Sequence, residues 1–394
     1  MNFNIDSLTD EKVFTCALNR IFNFEPRTGR FLIESYGSAK AVFQADKEDL
    51  SKELRIGEKY IRQITDKEAE ASFKELRHLE KSGVSFVGIN ESPYPALLKE
   101  CFDAPIGLYL KSSSSPENIF CGKTYIAIVG SRNMSSYGQE WCSRICEVLS
   151  GAETKPVIVS GLAIGVDGQA HRSAIKKGLP TIAVMATGID EIYPYRHKDL
   201  GEIIARSPGS GLVTDFPPLS PPLPVNFIRR NRIIAGLCQS VVLIESRIKG
   251  GGMSTARLAF SYNRDVYALP GRLDDSLSSG CNKLIEEKAA ELLFSPESFA
   301  EKAGLQIVLN KGRPLAEDVI LEGGRFPELG IEERRALAKL SGIIRRSRDI
   351  SIEDLRIITG WEYSEVSSMT ALLESEGIIK TDILQRCSLS PAVS

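Results

Sequence analysis

The sequence predicts an α/β protein: an extended Rossmann-like, doubly wound parallel sheet with a small helical domain before it and a winged-helix domain after it. Three observations carry this reading. Short continuous apolar runs recur at 125–129, 157–159, 181–185, 240–244 and 265–269, as in strands covered on both faces. Apolar residues at helical spacing fall between them: Trp141, Ile145, Val148 and Leu149, then Ala170, Ala174 and Ile175. Glycine turns close the strands at Gly130, Gly161 with Gly165, Gly188 and Gly250 to Gly252. Successive strand–turn–helix units demand parallel strands, and open parallel sheets bind ligands outside their carboxyl ends.

The elements follow in order. Residues 1–83 read as short helices, including a long charged helix over 61–81 stopped by Gly83. Two extended pieces at 84–89 and 108–110 extend the sheet of a core spanning 84–299. Five prolines between Asp215 and Pro224 mark an extended loop, and 227–237 is helical. Residues 300–330 read as a linker. From Ile331 the helical period returns in a 331–394 domain, with Ser351 and Asp354 at one helix start, a turn at Gly360, and a third helix capped by Ser364. Helix, glycine turn, helix and a short strand is the layout of a winged helix. Its third helix, 364–376, carries Glu365, Glu374 and Glu376 and no Lys or Arg, which suits protein contact better than phosphates.

Composition narrows the function. The 394 residues are 42% apolar and 25% charged with a formal charge of -2, so any cationic site is local. No run reaches the roughly 20 apolar residues of a membrane span. The start of the chain, with Asp6, Asp10 and Glu11, lacks a signal-peptide core, so a cytoplasmic location is expected. The eight cysteines form no CxxC, and the three histidines form no cluster, so neither a metal nor a cofactor is expected. None of the glycine turns fits GxGxxG or the P-loop.

Two constellations remain. Glycine turns at helix N-termini offer N–H groups to phosphates. Arg132 follows the first core strand, Phe227, Arg229, Arg230, Asn231 and Arg232 share one or two helical turns beside Asn226, and Arg272 follows the last strand. If these meet on one rim, guanidinium forks grip phosphates while an aromatic ring stacks a base. Asp167, Asp190, Asp215 and Glu245 also lie near strand ends, as candidate acids, metal ligands or helix caps. His171, one turn after Asp167, is expected to bond that carboxylate as structure.

These motifs resemble the DNA-processing protein A (DprA/Smf) family. The resemblance rests on Tyr125-Ile-Ala-Ile-Val-Gly-Ser-Arg132, on Ser160-Gly-Leu-Ala-Ile-Gly-Val-Asp167 with Ala170-His171, and on 226–237. Residues 181–194, 267–271 and 280–285 add to it. It implies a sterile-alpha-motif-like or helix-hairpin-helix N-domain. It also implies single-stranded DNA binding in natural transformation, protection of the incoming strand, loading of RecA recombinase, a homodimer through the Rossmann core, and no enzymatic activity. By position, the Gly130-Ser131-Arg132 turn, Gly161, Gly165 and the 227–232 segment would line the DNA pocket. Gly251, Gly252, Ser254 and Thr255 stand in a Ser-Gly-Ser-Leu-Thr-Ala-like turn that would donate to phosphate. Two departures are visible. Phe24-Glu-Pro-Arg-Thr-Gly29 replaces a clean Gly-x-Gly hairpin, and Ile228 stands where proline is usual. The core is also similar to phosphoribohydrolases, the alternative reading, but 250–259 has no acid at the place of their signature glutamate.

Overall fold

The structure is a computed structural model, and it describes residues 10–52, 56–307, 316–322, 324–347, 350–382 and 385–390. Asp6 and the 308–315 part of the expected linker lie outside the described residues. The chain divides into two units, 1–307 and 308–394.

The first unit is built on nine strands: β1 Val84–Gly88, β2 Gly107–Lys111, β3 Tyr125–Val129, β4 Val157–Ser160, β5 Thr181–Val184, β6 Gly211–Thr214, β7 Ser240–Leu243, β8 Asp265–Ala268 and β9 Glu291–Leu292. Their order is β1-β2-β6-β5-β4-β3-β7-β8-β9. Strands β3 to β9 pair in parallel, while β1 pairs β2 and β2 pairs β6 antiparallel. The apolar runs are continuous because both faces are covered. Ala127, Val129, Val157 and Val159 join one buried layer, and Ile126, Ile128 and Ile158 the other. The chain leaves β3 toward β4 on one side and later returns as β7 on the other, so the winding reverses at β3.

Among the described residues six helices precede the sheet, from Asp10–Ile21 to Asp66–Lys81. The single helix expected over 61–81 is two, Glu58–Ile61 and Asp66–Lys81. The first ends with Arg62 as its cap, and Thr65, in extended conformation, starts the second by accepting the Glu68 N–H on its Oγ1 at 3.4 Å.

These helices are fastened to the core through Asp215. Asn19 and Asn23 donate their side-chain amides to its carbonyl at 3.0 and 2.7 Å. Its carboxylate pairs with Arg232, both groups being buried, and Arg232 also donates to the Asp103 carbonyl. Burial raises the Asp215 carboxyl, opposed by Arg232 and then Arg229. Asp215 is therefore a structural anchor.

The second unit holds helices Ala316–Leu321, Ile331–Arg346, Ile352–Thr359 and Tyr363–Ser375. Strands β10 Ile350–Ser351, β11 Ile379–Thr381 and β12 Arg386–Leu389 form an antiparallel sheet in the order β10-β12-β11. Leu337, Leu340, Leu355, Val366 and Leu373 make its core. Helix Ala316–Leu321 lies within the stretch expected as linker because Ala316 and Ile320 belong to this core. Ser351 caps its helix as expected, accepting from Asp354 N at 3.0 Å, but the Asp354 carboxylate takes the Ser351 hydroxyl instead of reaching back to the backbone. Glu362, rather than Ser364, stands at the start of the third helix, so the cap lies two residues earlier than expected.

Removing Arg232 strands a buried carboxylate. Arg232→Ala is expected to lower stability by about 3–5 kcal/mol, measured by urea unfolding.

Candidate nucleic-acid interface

Three turns meet where the winding reverses. A Cβ on Gly130 would stand 2.8 Å from the Val166 side chain and 2.9 Å from the Glu245 carbonyl. One on Gly252 would stand 3.1 Å from the Gly130 Cα. Gly165, at φ +86°, rests against the Ser131 and Arg132 carbonyls, and Val166 N donates to Ser131 O at 3.1 Å. Backbone therefore touches backbone at this point. The result is a mouth onto which helices Val166–Lys176 and Gly251–Ser261 direct their N-termini, the positive ends of their dipoles. Leu162, in the turn after β4, is left-handed at φ 59°, and His197 Nδ1–H donates to its carbonyl at 2.8 Å.

Arg132 faces outward, while the three arginines of the 227–232 segment turn inward. Arg132 is exposed, and its guanidinium lies 5.3 Å from the centre of the Phe227 ring. Phe227 meets Tyr193 edge-on at 5.7 Å, and Tyr193 is 44% exposed. Arg230 is buried behind this group. Its guanidinium donates to Gly161 O at 2.5 Å and to Val184 O, while Nε has no partner among the described residues. Burial pulls its pKa down to about 10, with Asp167 opposing and Arg132 adding to the fall, so Arg132 and Arg230 are within electrostatic reach of each other. Arg229 donates to the Asn23 and Phe24 carbonyls, and Arg232 to Asp103 and Asp215. Of the arginines expected on one rim, Arg132 presents its guanidinium and Arg230 lies beneath it. Helix Pro224–Leu237 explains this, because successive residues point about 100° apart and cannot all face one cleft. Asn231 is buried in the same helix, and Arg272 is exposed but forks onto Asp274 at 2.9 Å.

Near the other helix N-terminus Gly251 and Ser254 are exposed, while Thr255 is buried and turned from solvent. Arg247 and Lys249 are exposed in the loop between β7 and that helix, and the sequence reading passed over them. Their signal was present: two cations directly before Gly250-Gly251-Gly252.

The carboxylates are engaged in structure. Glu245 is fully buried and accepts the Ser135 N–H at 2.9 Å and the Ser135 hydroxyl, which fixes the start of helix Ser136–Ser150. Asp190 accepts Leu219 N–H at 2.9 Å. Burial raises Asp167, with Arg230 the largest opposing influence, followed by bonds from the Ala163 backbone, Ser160 and the Gly161 backbone. Among the described residues no group of three or more His, Cys, Asp or Glu could hold a metal ion, and no helix is long and apolar enough to cross a membrane.

His171 does not bond Asp167. Its Nδ1–H donates to Thr181 Oγ1 at 2.7 Å, whose hydroxyl donates on to Ile158 O at 2.8 Å. Strand β5 thus supplies the acceptor, which the one-turn spacing of Asp167 and His171 along their helix does not reveal.

The profile of the family described as DNA recombination-mediator protein A matches residues 85–304, which include every turn of this mouth. The chain belongs to that family. DNA processing protein DprA of Streptococcus pneumoniae is 37% identical over 226 residues, covering 57% of this chain and 77% of that protein. Protein Smf of Escherichia coli is 37% identical over 223 residues, covering 57% of this chain and 58% of that protein. The X-ray structure of the Streptococcus pneumoniae DprA superposes with a TM-score of 0.63 at 28% identity, covering 75% of this chain and 98% of that one. The family read from the motifs is therefore the family matched, and its extended Rossmann-like sheet is the fold observed.

Burial holds His171 down to about 3, from an ordinary 6.5. The folded protein keeps the ring neutral, whereas the unfolded chain takes up a proton below its ordinary pKa. The stability that follows is full above that pH and is lost as pH falls toward the folded value. His171→Gln is expected to lose less melting temperature than wild type between about pH 7 and about pH 4.5, measured by calorimetry across that range.

Proposed function

We propose that the mouth at β3 and β7 binds single-stranded DNA without cleaving it, and that the protein uses this grip to protect incoming strands and load RecA recombinase during transformation. The observation that carries the reading is exposed Arg132 over Phe227 beside two helix N-termini, with Arg247 and Lys249 exposed in the loop before the second of those helices. Guanidinium and helix N-termini suit phosphate, and the ring suits a base. A base can lie on a protein ring only when unpaired, which selects a single strand over a duplex. The pocket residues are Gly130, Ser131, Arg132, Gly161, Gly165, Phe227, Gly251, Gly252 and Ser254, with Arg230 supplying charge from below. Arg229 lies outside this pocket, and Asn231, Arg232 and Thr255 act through the fold that holds them.

Several observations support binding over hydrolysis. Asp167, Asp190, Asp215 and Glu245 each serve a structural bond or a buried charge contact. The mediator role extends the family description to this chain, with a homodimer through the core as the assembly that would do it. The acidic third helix of the second unit fits a protein-contact role there.

Arg132→Ala is expected to weaken single-strand binding several-fold at about 0.1 M salt and to make the slope of log K against log salt shallower by roughly 0.7, the share of one phosphate contact. Fluorescence anisotropy across a salt series measures both. Wild-type affinity and slope in the variant would refute the pocket.

A further inference from the structure

The cation–aromatic pairing of the mouth recurs twice along the flank of the same helix. Arg229 lies 4.3 Å from the centre of the Phe24 ring, and Arg27 lies 4.0 Å from that of Phe102. Tyr262 meets Phe102 edge-on at 5.6 Å. Phe24 and Phe102 are nevertheless 52% and 51% exposed. A guanidinium that merely stapled the helical domain to the core would gain most by burying these rings. The carbonyl bonds of Arg229 already fasten the seam, and they leave the exposed aromatics unexplained.

Phe227 and Arg229 diverge by about 200° around their helix. On the arc between them Pro224, Val225 and Ile228 are exposed, while Asn231 and Arg232 one turn later are buried, so exposed apolar surface at the start of the helix lies between Phe227 and the Arg229–Phe24 pair. Arg232 follows Arg229 by three positions on the same face and holds the Asp103 carbonyl, next to Phe102. Asp103, and Phe102 next to it in the chain, are therefore held against the same helix by Arg232. Arg27, in the first turn of helix Pro26–Tyr36, starts just past Phe24 and reaches across to Phe102, which links the two.

We propose that Phe24, Phe102, Arg27 and Arg229 form a second stacking track, which carries unpaired nucleobases from the Phe227 pocket across the seam between the helical domain and the core. The ligand is single-stranded nucleic acid; rings and guanidinium planes both accept bases without regard to sequence. The track rests on the pocket reading above and extends it. It also gives the first helices a contact with DNA that needs no helix-hairpin-helix.

Strand length separates the two sites. The full-length protein is titrated with labelled oligothymidylates of roughly 5 and roughly 18 nucleotides, spanning the usual site sizes of such grooves. The variants are wild type, Arg132→Ala, Phe24→Ala with Phe102→Ala, and Phe24→Leu with Phe102→Leu. The leucine pair keeps apolar bulk, so it guards against loss of the fold. Both double variants are expected to bind the longer strand about tenfold more weakly and the shorter one as wild type, since stacking one base contributes on this scale. Arg132→Ala should weaken both lengths. Wild-type affinity of the leucine pair for the long strand, beside a weakened Arg132→Ala, overturns the track and leaves the pocket standing. Equal loss at both lengths also overturns the track, because it would then not be an extension. Unchanged binding by Arg132→Ala overturns the pocket and the track with it.

Discussion

The mouth depends on backbone packing against backbone where the winding of the sheet reverses. Gly130, Gly165 and Gly252 lie so close to neighbouring carbonyls, or to each other, that a side chain at any of them would wedge the turns apart. Their closeness brings the ends of β3, β4 and β7 together and directs two helix N-termini at one spot. A doubly wound sheet creates such a crevice by topology alone. What this chain adds is glycine at the closest approaches and exposed cations at Arg132, Arg247 and Lys249.

The cations are not equivalent. A net charge of -2 gives no long-range pull on DNA, so binding must come from local placement. Arg132 meets solvent. Arg230 sits beneath it with carbonyl partners and a buried acid nearby, an arrangement that costs folding energy and adds positive potential where little water screens it. Arg229 and Arg232 turn away and bind the helical domain to the core. One short helix thus supports the pocket on one side and the seam on the other. The left-handed Leu162 beside it is a further local cost of the kind that gathers at functional sites.

Much of this was legible in the sequence. Buried parallel strands read as unbroken apolar runs, so β3, β4, β5, β7 and β8 were found near their true positions. Glycine turns at their ends marked the mouth, and ordered motifs marked the family. The direction of the arginines was not legible. Arg229, Arg230 and Arg232 are adjacent in sequence, yet the acceptors that take them come from residues 23, 24, 103, 161, 184 and 215. Only tertiary structure brings those groups near. His171 was misread likewise: its partner Thr181 comes from the neighbouring strand. Thr65 and Glu68 carried a readable helix start that the charged run of 61–81 obscured.

The account stands on the claim that a single strand seats at the mouth between β3 and β7. Hydrogen–deuterium exchange of the full-length protein, with and without a saturating oligothymidylate, tests it most directly. The account predicts slowed exchange in residues 130–133, 161–166 and 247–253, with β1 and β2 unchanged. Protection confined to residues 331–394, with none in those three turns, would contradict it.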